Sequence, residues 1–412
     1  MDLLFVTPYF PPEVGAAQTR IQELAVRLVG LGHNVSVLTG FPNYPSGVVP
    51  KEWKGLYWWK GLNEGIRVYR IWSYVVPNRG FAKRILGQVS FALSASVAGG
   101  LLPSFDAIIV ESPPLFDGLA ALCLSWLKRA PFLFTVSDLW PESAIQMGVL
   151  RNAFLIRLSK ELEKTIYRHA RLVLAVTQGI HKAIISEGND SSRIVLFRAA
   201  VDCQFFRPGI DGTAMRQALG ISPNELLVLY AGTLGMAHNL SVVLEVAHRC
   251  QQQGSNNIRF VLAGDGAEKH MLRRKAIALD LKNLSFIDPV PKKNMPALLN
   301  AADCVLVSLR DLPIFRGALP TKLLEAMSCS KPVIAAVGGE AEEIVRRSAS
   351  GFCVGPGDAA AIYHAILKIA RDPENAARMG LNGRECVLQE FSRDRRAREL
   401  NDHLLGLGNG PH

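Results

Sequence analysis

Short apolar runs of five to seven residues alternate with longer amphipathic stretches along most of the chain. In the first half the runs are "LLFVT" (3–7), "NVSVLT" (34–39), "RVYRIW" (67–72), "AIIVES" (107–112), "FLFTVSD" (132–138), "LVLAVT" (172–177) and "IVLFR" (194–198). Strands this apolar, separated by helical segments, predict a parallel sheet covered by helices on both faces. The polar, Pro- and Gly-marked stretch 205–225 breaks the rhythm and reads as a linker. A second series follows: "LLVLYAG" (226–232), "IRFVLAG" (258–264), "LSFID" (284–288), "CVLVSL" (304–309), "PVIAAV" (332–337) and "GFCVG" (351–355). The pattern predicts an α/β chain of two doubly wound, Rossmann-like domains, 1–204 and 226–390, with a basic terminal helix in 391–412 packing back across them. Ligands of such sheets bind outside the carboxyl ends of the strands, so a cleft between the domains would join two such edges.

One helix start carries charge of an unexpected sign. Residues 321–327 are good helix formers after Pro320, yet Lys322 falls in the first turn, where the macrodipole is already positive. Arg316 lies just upstream. These two cations and the first-turn amides converge if a multiply charged anion such as a diphosphate sits among them, whereas Lys322 alone is equally consistent with a solvated surface residue. Glu325, one turn on, would reach neutral hydroxyls such as a ribose diol, or is an exposed helix carboxylate. Two preceding strands end in glycine, in "YAGTLG" and "LAGDG", so Gly232, Gly235, Gly264 and Gly266 allow close backbone approach to a ligand or simply turn the chain. No G-x-G-x-x-G fingerprint and no G-x-x-x-x-G-K-[ST] loop occurs, which argues against a dinucleotide dehydrogenase and a P-loop ATPase.

Composition narrows the setting. The 412 residues exceed what one core usually serves. Seven cysteines are scattered without metal-ligand spacing, predicting a reduced, cytosolic protein. The apolar start has neither the basic region nor the cleavage site of a signal peptide. The net charge of +10 is concentrated: residues 51–84 hold eight Lys or Arg against Glu52 and Glu64, and all six tryptophans lie within the first 140 residues. A basic patch with tryptophans suits an anionic membrane surface or nucleic acid. The basic span fits no recognisable nucleic-acid module, so no nucleic-acid partner is expected. The uncharged segment 85–105 has nearly the length of a membrane span, but Gln88, Ser90, Ser94, Ser96 and Gly99-Gly100 lower its hydropathy. A buried helix, an interfacial helix and a span are all compatible with it, the buried helix fitting best.

In the first half, "TVSDLWPES" (135–143) closes a strand with Asp138, Trp140, Glu142 and Ser143 beyond its end, either functional groups or a helix cap. "PPEVGAAQTR" (11–20) is a second edge loop, where Gly15-Ala16-Ala17 would admit a sugar or phosphate closely or only turn the chain. With no Asp-x-Asp, no G-x-S-x-G and no HExxH, paired metal-binding carboxylates and hydrolase elbows are absent. Fixed cations would then have to stabilise a leaving group in place of a metal.

The ordered series "TGFPNYPSG" (39–47), "SPPLFDGLAA" (112–121), "DLWPESA" (138–144), "AGTLGMAHNL" (231–240), "GDGAEK" (264–269), "VPKKNMPALLNAAD" (290–303) and "FRGALPTKLLEAMSCSKPVIA" (315–335) resembles the retaining, GT-B-fold glycosyltransferases of family 4. Within that family it is similar to bacterial O-antigen and capsule enzymes described as fucosamine or N-acetylhexosamine transferases. The resemblance implies that the second domain binds a UDP-sugar, with Glu325 at the ribose and Lys322 and Arg316 at the diphosphate. It further implies that Gly232, Thr233, Gly264, Asp265, Gly266, Pro291, Pro320, Thr321 and Leu323 line the nucleotide-sugar site. The first domain would bind a lipid-linked saccharide acceptor through Gly15, Ala16 and Trp140, with Asp138 and Glu142 near the reacting centre. No metal or other cofactor is implied. The enzyme would sit peripherally at the inner face of the cytoplasmic membrane, docked through residues 51–105. The chain departs from the family pattern where Gly317 replaces the first acid, Thr233 and His238 replace an Arg and a Lys, Ser137 replaces a His, and Ala199-Ala200 replaces Asn-Gly. Two other readings are a non-hydrolysing sugar-nucleotide epimerase and a non-catalytic nucleotide-sugar-binding partner.

Overall fold

The computed structural model describes residues 1–13, 15–44, 46–75 and 81–407. Each apolar run of the first half forms a strand: β1 Asp2–Val6, β2 Asn34–Gly40, β4 Ile66–Ile71, β5 Ala107–Ser112, β6 Phe132–Val136, β7 Leu172–Ala175 and β8 Ile194–Leu196. A further strand, β3 Trp58–Asn63, lies within the basic aromatic span. The sheet order is β3-β4-β2-β1-β5-β6-β7-β8, parallel throughout except for the antiparallel β3–β4 pair. Residues 3–6 of β1 and 35–40 of β2 are all buried, as a sheet covered on both faces requires.

The second half builds β9 Leu226–Ala231, β10 Ile258–Ala263, β11 Leu284–Ile287, β12 Cys304–Ser308, β13 Val333–Ala336 and β14 Gly351–Cys353. They form an all-parallel sheet in the order β11-β10-β9-β12-β13-β14. The expected fold class is therefore observed. Strand order reverses at β1/β5 in the first sheet and at β9/β12 in the second, which are the switch points where such sheets hold ligands.

The chain divides into two compact units, Met1–Arg198 with Arg393–His412, and Ala199–Ser392. Residues 205–225, expected as a linker, fall inside the second unit. The physical reason is local bonding: Arg216 on the helix Thr213–Ala218 donates to the carbonyl of Ala301 and to Asp303, and Ser328 donates to the carbonyl of Phe206. The terminal helix Arg393–Leu407 returns to the first unit. It buries Ala397, Leu400 and Leu404 in the core with Leu24 and Leu28, and pairs Arg393 with Glu23 and Asp394 with Arg27.

The uncharged segment forms most of the helix Phe81–Gly100. Phe91, Ala92 and Ala95 are buried, and Gly99 packs closely on Leu124 of the helix Asp117–Lys128. Leu86, Leu93 and Val97 face outward. Among the described residues no helix is long and apolar enough to cross a membrane. The spanning reading of this segment is thereby removed.

The basic aromatic span is less open than its composition suggests. Arg70 is buried, donating to the carbonyls of Gly40 and Pro11, with its guanidinium over the rings of Trp53 and Trp59 at 5.2 and 6.0 Å. Stacking a weakly hydrated guanidinium on indoles converts one cation and two tryptophans of the patch into loop scaffolding. Arg79 lies outside the described residues. Tyr57, Trp58, Leu62 and Trp72 remain exposed.

Candidate functional site

At the switch point of the second sheet, the carboxyl ends of β9 and β10 and the helix Thr321–Ser328 enclose a cavity of about 470 Å³. Its walls bring together Gly232, Thr233, Gly264, Asp265, Pro320, Thr321, Lys322 and Glu325. Glycine is required at two strand ends. A side chain at Gly232 would meet the Lys322 ammonium at 2.9 Å, and one at Gly264 would meet the Gly232 carbonyl oxygen at 1.9 Å. Both have φ in the left-handed half of the map, +141° and +143°.

Lys322 is half-buried, and among the described residues no carboxylate forms an ion pair with it. Its ammonium lies 4.0 Å from the centroid of the Tyr230 ring and donates to the Tyr230 hydroxyl at 2.6 Å, while that hydroxyl donates to the Thr233 carbonyl at 2.7 Å. Tyr230 is only 1% exposed, so the lysine rests on a fixed surface. A desolvated cation–π contact is worth about 2 kcal/mol, less than the desolvation of an ammonium costs. Burial accordingly pushes the Lys322 pKa down to about 7, with Glu325 opposing the shift. His238 also lines the cavity, and burial followed by repulsion from Lys322 lowers it to about 4, so its imidazole is neutral. Pro320 occupies the N-cap of the lysine helix and no acid stands in its first turn. The first-turn amides thus receive no side-chain cap, which leaves the positive end of the helix beside the Lys322 ammonium.

The other expected members are placed differently. Arg316 sits in the short 3₁₀ turn Pro313–Gly317, 66% exposed, and pairs with Asp311 at 3.6 Å outside the cavity wall. The structure therefore does not bring it to Lys322. Leu323 is fully buried in the core behind the helix, since the residue after Lys322 lies about 100° further round the helix axis. Gly266 turns the chain against the carbonyl of Leu234, and Pro291 precedes the turn Lys292–Asn294; neither lines the cavity. Tyr230, His238, Pro289, Val290 and Met295 complete the site around the expected residues. Tyr230 was concealed by its place in an apolar strand, where an aromatic reads as core.

In the first unit, Asp138 follows β6, and burial raises its pKa while bonds from the Ser143 hydroxyl and the Leu139 amide oppose the rise. It thus acts at least as a local brace for the turn into the helix Glu142–Gln146. Glu142 pairs with Lys160 at 3.4 Å and accepts from Gln146. Trp140 packs edge-on against Phe116, with centroids 5.6 Å apart. Gly15 is the extended N-cap residue of the helix that begins at Ala16.

Two networks at the same carboxyl edge escaped the sequence reading. Glu111, the penultimate residue of β5, accepts from Arg20 and from the Ser137 hydroxyl, joining the ends of β5 and β6 to the first helix. The serine that replaces the family histidine is thus bonded into the scaffold. Glu13 accepts from the amides of Phe10, Asn43 and Tyr44, tying the β1 loop to the β2 loop. A charged residue near the end of a buried strand, as in "AIIVES", was the available signal for the first.

Among the described residues no group of three or more His, Cys, Asp or Glu side chains could hold a metal ion.

Comparison with known proteins relates both halves of the chain to glycosyltransferases. Residues 15–200 match the family described as glycosyl transferase 4-like domain, and residues 211–386 match glycosyl transferases group 1. The chain is 26% identical over 353 residues to the glycosyl transferase WcaI of Escherichia coli (strain K12), named for colanic acid biosynthesis, covering 83% of this chain and 82% of that one. Among solved structures, sucrose-phosphate synthase from Thermosynechococcus elongatus superposes with a TM-score of 0.79 at 18% identity, covering 98% of both chains. Anabaena HepE in complex with UDP gives 0.72 at 19% identity, over 98% of this chain and 100% of HepE. With a glycosyl transferase 4-like domain in its first half and a group 1 domain in its second, the chain belongs to the GT-B glycosyltransferases.

Proposed function

We propose that the chain transfers an N-acetylhexosamine or 6-deoxy-N-acetylhexosamine from its UDP derivative, with retention, to a lipid-linked or saccharide acceptor in bacterial surface polysaccharide synthesis. The observation that carries the nucleotide-sugar assignment is the Lys322 ammonium, held on Tyr230 at the mouth of an uncapped helix with Glu325 one turn on. UDP bound to HepE and the name of WcaI support the donor and the pathway class, respectively.

In this reading the β-phosphate receives Lys322 and the first-turn amides, and Glu325 accepts from the ribose diol. The sugar C1–O bond breaks and the electron pair leaves with UDP, whose developing charge the ammonium offsets. The acceptor oxygen bonds C1 from the same face, and its proton passes to the departing phosphate. We assign Asp138 and Glu142 to the reacting centre and Gly15, Ala16 and Trp140 to the acceptor. Arg316 would reach the diphosphate only by leaving Asp311. No step calls for a metal or other cofactor.

Peripheral attachment to the inner face of the cytoplasmic membrane is part of the proposal. The exposed Tyr57, Trp58, Leu62 and Trp72 and the outward Leu86, Leu93 and Val97 support docking through residues 51–105.

The product's anomeric configuration, read by NMR coupling constants, is expected to match the donor's, and the transfer rate to be unchanged in excess EDTA. An inverted product, or activity lost on chelation and restored by a divalent ion, would overturn retention or metal independence.

A further inference from the structure

The segment after Asp138, Trp140 and Glu142 has an unusual surface. Between the helices Glu142–Gln146 and Ala153–His169, Met147 and Val149 are 55% and 47% exposed, and on the second helix Phe154, Leu155 and Leu158 are 72%, 45% and 57% exposed. Five large apolar side chains within twelve residues are more than scattered surface hydrophobics. Asn152 caps the helix by accepting from the amides of Phe154 and Leu155, so the phenylalanine is held outward on an ordered turn. Within the segment the charges share one sign: residues 147–158 contain Arg151 and Arg157 and no acid, while Lys160 on the next turn is paired with Glu142 and is followed by Glu161. Arg151 is braced by donating to the Gly148 carbonyl. Deeper in, the helix turns inward and buries Ser159, Glu163, Ile166 and Tyr167. Only its first two turns stand clear of the unit.

We infer that residues 147–158 form a lipid-interface contact, with Met147, Val149, Phe154, Leu155 and Leu158 entering the headgroup boundary and Arg151 and Arg157 on anionic headgroups. The inference rests on the membrane-surface reading above and adds a contact outside residues 51–105. An apolar segment whose own charges, Arg151 and Arg157, are both cationic complements an anionic bilayer, whereas a protein partner of mixed charge would leave the arginines unmatched. Because the segment leaves the carboxyl end of β6 directly through Asp138, it would bring the acceptor-side loops of the first unit to the membrane surface. A lipid-linked acceptor would then present its saccharide there without leaving the bilayer.

The test is co-sedimentation of the full chain with vesicles of phosphatidylglycerol and phosphatidylethanolamine, compared with phosphatidylcholine alone. For Phe154→Glu/Leu158→Glu, binding to the anionic vesicles is expected to fall by about tenfold or more. Arg151→Gln/Arg157→Gln should lower binding to anionic vesicles and leave the weak binding to phosphatidylcholine unchanged. UDP-induced thermal stabilisation should be the same in all variants, which separates loss of docking from loss of fold. Equal vesicle binding by wild type and Phe154→Glu/Leu158→Glu would overturn this contact while leaving docking through 51–105 standing. Absence of vesicle binding by the wild type would overturn both. A concentration-dependent dimer in sedimentation velocity, abolished by Phe154→Glu/Leu158→Glu, would instead assign the surface to self-association.

Discussion

Replacing Lys322 by methionine is expected to reduce sugar transfer by about two to three orders of magnitude, the usual cost of removing one fixed group from a developing anionic charge. UDP affinity should fall by about ten- to a hundredfold, as for loss of a charged hydrogen bond of about 1.5–3 kcal/mol. The unliganded protein should melt no lower than wild type. Methionine keeps the stem's contact with the Tyr230 ring and removes an ammonium whose desolvation the fold otherwise has to offset. A variant that melts normally and transfers normally would refute the role of Lys322. The same residue sets a pH dependence. With a pKa of about 7 in the empty site, Lys322 is mostly charged below pH 7 and mostly neutral above it. A bound diphosphate favours the charged form and raises the pKa, so binding takes up a proton at and above neutrality. UDP affinity should therefore be highest below pH 7 and decline by about tenfold per pH unit from 7.5 to 9. Calorimetry in buffers of different ionisation enthalpy would detect the uptake, and a flat profile in the wild type would contradict it.

The second large effect is structural. Gly264→Ala would set a methyl group 1.9 Å from the Gly232 carbonyl oxygen, in a backbone conformation with φ of +143° that alanine rarely adopts. Neither atom is the end of a flexible side chain, so β9 and β10 would have to separate where the Gly232 amide bonds the Ala263 carbonyl at 2.9 Å. The strain and the steric shift together should cost about 3 kcal/mol or more and remove UDP binding as well. Urea unfolding checks the prediction; a midpoint within error of wild type would contradict the packing described for the strand ends. Gly254, which has open space around it, also has φ positive, at +72°. Gly254→Ala should therefore cost only about 1 kcal/mol, separating conformational strain from collision.

The parts of the fold that were legible in the sequence share one property, burial on both faces. Strands such as β1 and β9 read as continuous apolar runs because every position after their first is buried. Strand β3 was missed for the opposite reason: it is an antiparallel edge strand whose residues alternate between exposed and half-buried, and its Trp and Lys residues read as a surface patch. Edge position and the Arg70 stack are long-range facts that no local pattern in 51–84 encodes. At the candidate site, the glycine turns and the spacing of Lys322 and Glu325 were visible because each is a local departure from a good helix or strand. The partner of Lys322 was not, since Tyr230 is 92 residues away and lies in a strand where an aromatic is unremarkable. Arg316 shows the limit in the other direction. Its distance along the chain from Lys322 is short, but the turn Pro313–Gly317 directs it toward Asp311 and solvent.

The central claim is that the cavity between the glycine strand ends and the Lys322 helix receives a nucleoside diphosphate. Thermal shift with UDP, UDP-sugars, UMP and NAD, on wild type and Lys322→Met, tests it most directly. Ligand at a hundred times its Kd stabilises by about 2.7 kcal/mol, a readily measured rise in melting temperature. UDP and at least one UDP-sugar should raise the wild-type melting temperature, UMP less and NAD not at all, with the UDP shift largely lost in Lys322→Met. No shift with UDP or any UDP-sugar, or an equal UDP shift in Lys322→Met, would contradict the account.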